Sequence, residues 1–138
     1  MTGDTQLLLT SVVDVKDDTA LVHGVLDAGM NIAEPVPHEY HQLLSATAPT
    51  ADATTAYRLA GPICTPADVL YNHWRLPPLV PGHVLSIMDT GAYFVPFSTT
   101  FSFPKPAIVV QDGATVTVAR RRETWDDMVA LDDPGAGG

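Results

Sequence analysis

Ile108-Val109-Val110-Gln111-Asp112-Gly113-Ala114-Thr115-Val116-Thr117-Val118 is two β-branched runs joined by Asp-Gly. A tight reversal needs positive φ, which Asp-Gly tolerates, so the stretch predicts a β-hairpin. Downstream, Thr124 followed by Asp127 has the spacing of a capping box, in which each side chain satisfies a free amide at a helix start. That predicts a short C-terminal helix through Leu131, with residues 133–138 a disordered tail.

Upstream the β character continues. Leu7, Leu9, Ser11, Val13 and Val15 alternate with positions that carry Thr10 and Asp14, the period of a half-buried strand. A polar turn at Asp17-Asp18 then leads to a second strand over residues 20–26, completing a hairpin. Residues 38–46 read as a short helix or an irregular segment, and residues 47–55 as a flexible loop. Further strands are expected over 57–60 and 84–88, separated by the proline-rich stretch Pro77, Pro78, Pro81, Gly82. Short strands, 12 prolines and 10 glycines predict a mostly β fold. It is read as a Greek-key-like barrel or sandwich with one or two short helices, a single β-domain over residues 1–132. The strand–helix alternation of a complete TIM barrel is absent.

Charge and length exclude several function classes. Sixteen acidic against seven basic residues give a net charge of −9, the wrong sign for a nucleic-acid phosphate backbone. No apolar run has the roughly 18 to 20 residues that span a bilayer. A single cysteine, Cys64, fits a reducing cytoplasm. His38 and His41 lack a third ligand at a recognisable spacing, and HEYH is not a two-turn zinc motif, so no metal site is expected.

Five segments carry a resemblance. Asp27-Ala28-Gly29-Met30-Asn31, Gly61-Pro62-Ile63-Cys64 with Asp68-Val69-Leu70, Gly91-Ala92-Tyr93, Phe101-Ser102-Phe103-Pro104-Lys105-Pro106, and Arg120-Arg121-Arg122-Glu123-Thr124 occur in that order. Together they resemble the C-terminal β-domain of pyridoxal-phosphate-dependent amino-acid decarboxylases of alanine-racemase-like fold, most closely diaminopimelate decarboxylase. The resemblance implies a TIM barrel that holds pyridoxal phosphate on a lysine, with the β-domain completing an active site at a subunit interface. Neither lysine here, Lys16 or Lys105, lies in a matching context. The resemblance implies that Cys64 protonates the carbanion left by decarboxylation and that Tyr93 touches the cofactor phosphate. Thr65 stands where the family has an acid that engages a distal amino group, and Glu34 falls near an expected arginine. His38-Glu39 falls at a family Tyr-Asp pair, so Thr65 and Glu39 become the substrate contacts, for a substrate other than meso-diaminopimelate.

The resulting expectation is a small β-domain subunit of a split decarboxylase, with the cofactor held mainly by a separate TIM-barrel chain. A non-catalytic binding or regulatory module that docks on a decarboxylase-like partner is the alternative. An apolar patch around Cys64, Tyr93, Phe94 and Phe101 is expected as the docking face, and self-association would hide it.

Overall fold

A computed structural model describes residues 3–18 and 21–132. The expected tail at 133–138 lies outside them. The chain parts into two compact units, Met1–Ser98 and Thr99–Gly138.

In the first unit, six strands form one sheet: β1 (Leu8–Asp18), β2 (Leu21–Leu26), β3 (Leu43–Ser45), β4 (Thr55–Ala60), β5 (Val69–Leu76) and β6 (Val84–Ile87). The order across the sheet is β3-β6-β1-β2-β4-β5, antiparallel except for the parallel pair β2–β4. Strand β1 serves both halves: Leu8 to Ser11 pair with β6, and Val12 to Asp18 pair with β2. The sheet curls until its two edge strands nearly meet. There the Trp74 indole N–H on β5 donates to the Leu43 carbonyl on β3 (3.0 Å). The mostly β, barrel-like expectation therefore holds.

The alternation in β1 is real, but the buried face is the other one. Leu7, Leu9 and Val13 are exposed, whereas Thr10 and Val12 are buried. Thr10 can go inside because its hydroxyl donates to Asp27 Oδ1 (2.7 Å) and accepts from the Ala28 amide (3.2 Å), so no polar atom is stranded. A bulge between Val12 and Asp14 then shifts the phase, so that Val15 packs against the core while Val13 does not. The polar turn is also displaced: Asp17 and Asp18 pair with Val22 and Leu21 inside the ladder. Leu26, Leu43, Leu59, Leu76, Leu85 and Ile87 are all but fully buried at the centre of the barrel.

Two strands depart from expectation, and three short helices stand where one or two were expected. Residues 38–46 contain strand β3 where a helix or irregular segment was expected, because the edge of β6 pairs Leu43, Leu44 and Ser45 in register. Strand β5 was not anticipated. Its pattern is interrupted by a bulge: Tyr57 faces Trp74 and Leu59 faces Tyr71, two steps on β4 against three on β5. His73 absorbs the extra residue at φ 56°, a left-handed conformation that costs a non-glycine residue energy.

The second unit is the hairpin β7 (Ile108–Asp112) and β8 (Thr115–Arg120) followed by helix α3, Trp125–Met128. Asp112 pairs with Thr115, so the two-residue loop is Gly113-Ala114, with Gly113 at φ 56°. The turn thus sits one residue later than Asp-Gly, with glycine first, as in a type II′ turn. The capping box forms as expected: the Asp127 amide donates to Thr124 Oγ1 (3.2 Å) and the Thr124 amide donates to Asp127 Oδ2 (2.7 Å). Arg121 grips the same carboxylate at 2.6 and 2.7 Å, and these contacts hold the Asp127 acid well below the usual carboxylate range. No residue of β7, β8 or α3 is buried.

Candidate functional site at the end of the barrel

Three loops meet at one end of the first unit. The first turns after β2 into helix α1 (Met30–Ala33), the second joins β4 to β5 through Cys64, and the third follows β6 into helix α2 (Phe94–Phe97). Helix α1 packs against both α2 and β5.

The anchor of this end is Asp68, 2% exposed. Its Oδ1 accepts the Met30 amide (2.7 Å) and its Oδ2 accepts the Ile63 amide (2.9 Å), tying α1 to the Cys64 loop. Its own carbonyl accepts the Gly61 amide (3.0 Å). The two loops touch backbone to backbone, since a Cβ placed on Gly61 would lie 2.2 Å from Gly29 Cα. Glycine is required there for close approach and not for its dihedral freedom. Gly29, Gly61 and Asp68 are letters of the family-like segments whose spacing alone carries no sign of a role. Their function is positional: they fix where Cys64 projects.

Cys64 is exposed, at the tip of its loop. Thr65 is engaged locally, its amide donating to the Ile63 carbonyl (2.8 Å) and its hydroxyl accepting from the Ala67 amide (3.3 Å). Tyr93 precedes α2 at φ 67° and is 55% exposed, its ring stacked on Phe97 at 5.8 Å. A bulky aromatic residue in that region is a backbone outlier, of the kind that persists where the surroundings over-determine it. Cys64 and Tyr93 thus sit on two loops that flank α1, both facing solvent.

Of the four residues expected in an apolar patch, one is not at the surface. Phe94 is buried, its ring meeting the edge of His41 at 4.9 Å, because it is the residue that seats α2 in the core. Tyr93 and Phe101 remain exposed, as does Cys64. Glu39 lines a different cleft, with Tyr40, His41, Tyr71, Asn72 and Trp74. Glu34 lies 3.3 Å from His38 Nε2, one turn on. Among the described residues no cluster could hold a metal ion, and no helix is long and apolar enough to cross a membrane.

A curled β-sheet whose end carries an exposed thiol and a strained, exposed tyrosine defines a class of domain that presents side chains outward. The chain belongs to the family of the pyridoxal-dependent decarboxylase C-terminal sheet domain, whose family model matches residues 4–91. It is 35% identical to the diaminopimelate decarboxylase of Methanothermobacter thermautotrophicus over 92% of this chain and 30% of that protein. Identity to the enzyme of that name from Deinococcus radiodurans is 36%, over 91% of this chain and 33% of that one. The crystal structure of Helicobacter pylori diaminopimelate decarboxylase complexed with L-lysine superposes with a TM-score of 0.83 at 26% identity, over 94% of this chain and 32% of that one. The chain therefore spans about a third of the length of these relatives.

Proposed function

We propose that this chain is the β-domain subunit of a split pyridoxal-phosphate-dependent amino-acid decarboxylase, completing an active site on a TIM-barrel chain that holds the cofactor. The observation that carries the reading is the pairing of a fixed, exposed Cys64 loop with an exposed Tyr93 on the flanks of one helix. The exposed second unit supports it. Val109, Val110, Val116 and Val118 are each more than half exposed, and a two-stranded hairpin without a covered face is marginal in water. A partner surface would supply that cover.

The chain's residues fit contact with a cofactor seated elsewhere and not the seat itself. Lys16 is engaged 3.9 Å from Asp14 on β1, and Lys105 is bound through its backbone to Glu123. The cofactor would supply the electron sink for loss of CO2. This chain would supply the Tyr93 hydroxyl as a hydrogen-bond donor to its phosphate and the Cys64 thiol as the proton donor to the product carbon. Thr65 would offer a neutral contact to substrate in place of a charge, which supports a substrate other than a diamino acid.

Co-expression with a barrel chain tests the reading. The expected result is a stable complex with cofactor absorbance that releases CO2 from an amino acid, with turnover lost in Cys64→Ala while cofactor binding is kept. A barrel chain equally active without this subunit would refute the catalytic role and leave a regulatory module.

A further inference from the structure

The barrel does not close along the seam between β5 and the segment that runs into β3, and a cleft of about 290 Å³ lies there. Its walls are aromatic and fixed. In a regular strand Tyr71 and Trp74, three residues apart, would point to opposite faces. The bulge at Asn72 and His73 puts them on the same face, with ring centroids 5.0 Å apart. Each ring is then tied across the seam: the Tyr71 hydroxyl donates to the His41 carbonyl (3.1 Å), and the Trp74 indole donates to the Leu43 carbonyl. Tyr40, 79% exposed, leans over Trp74 at 6.1 Å and 45°.

The cleft carries one carboxylate, Glu39, beside the buried imidazole of His41. Nδ1 of His41 lies 3.0 Å from the Met88 carbonyl, which can only accept, so Nδ1 carries a proton. His41 is 94% buried by its 6% exposure, and Nε2 has no hydrogen-bond partner, 3.7 Å from the Glu39 carboxylate. Among the described residues no lysine or arginine lines the cleft. Aromatic faces and one carboxylate make a surround that attracts positive charge.

We propose that this seam is a binding site for an organic cation, an ammonium or guanidinium group, with Tyr40 and Trp74 as its aromatic walls and Glu39 as its countercharge. The proposal stands on the cleft alone and does not require the decarboxylase reading. The cation is either a free small molecule or a lysine or arginine side chain of a partner, and the chemistry of recognition is the same.

The test uses the full chain labelled with nitrogen-15, titrated with choline and with its neutral tert-butyl isostere. The Trp74 indole N–H signal should shift saturably with choline, at a dissociation constant on the order of millimolar. The Trp125 signal, from the other unit, serves as the control. Glu39→Gln and Tyr40→Ala, at half-exposed and exposed positions where folding is not at stake, should each weaken binding about threefold or more. Equal response to the isostere would overturn the proposal, as would binding unchanged in both variants. In a complex with a barrel chain, loss of the choline response would assign the site to a partner's cationic side chain, and its persistence to a free cation; either supports the site.

Discussion

Replacing Asp68 with alanine isolates the tie that holds the site-bearing loops together. The side chain is 2% exposed, and its two oxygens each take one backbone amide, Met30 at 2.7 Å and Ile63 at 2.9 Å. Truncation removes both acceptors without giving either amide another partner in the fold. An unsatisfied buried donor costs about 1 to 3 kcal/mol, so the two together should cost roughly 2 to 6 kcal/mol. The upper half of that range requires both amides to stay dry, and the loop carrying Ile63 is only partly buried. A loss near 3 kcal/mol is therefore expected, on the order of one charged hydrogen bond plus one stranded amide. Asp68→Asn should fall between the wild type and alanine, since one oxygen still accepts while the new NH2 faces a donor. Urea unfolding measures the change as a shifted midpoint at constant slope. Amide exchange should accelerate at Met30, Ile63 and Gly61 ahead of the β1–β2 ladder. A cost below about 0.5 kcal/mol, the level of an ordinary surface change, would refute the anchoring argument.

Gly61→Ala should destabilise by more than a surface change, because its Cβ would meet the Gly29 backbone and the anchored Asp68 carboxylate; thermal unfolding reports it. His73→Gly relieves a left-handed residue that costs about 1 kcal/mol in L-amino acids, so stability should be kept or gained, and a clear loss would mean that the side chain contributes. Burial, and secondarily Tyr40, raises the Tyr71 phenol above its ordinary value. The unfolded chain then releases that proton first. Stability from this group is fully present below about pH 10 and falls as the pH rises above it, which unfolding measured across the alkaline range would detect.

Much of the architecture was legible in local chemistry. The hairpin between Ile108 and Val118 follows from β-branched runs around a glycine, and the α3 cap follows from Thr124 and Asp127 at the right spacing, because both depend on residues a few positions apart. The family, too, was legible in ordered short segments, and the docking face that the resemblance implied put Cys64 and Tyr93 at the surface, where both lie. What sequence could not decide was any choice made by distant partners. The inward face of β1 was set by Asp27 and Ala28, which let Thr10 go inside in preference to the more apolar Leu9. Phe94 left the exposed patch because α2 needed an anchor beneath His41. The β5 bulge, with the aromatic seam it creates, came from pairing against β4, where one extra residue turned Trp74 to the side of Tyr71. Local spacing determines turns, caps and short motifs because their partners are neighbours in the chain. Face, register and the meeting of loops belong to the tertiary structure, because their partners lie tens of residues away and compete for the same interior.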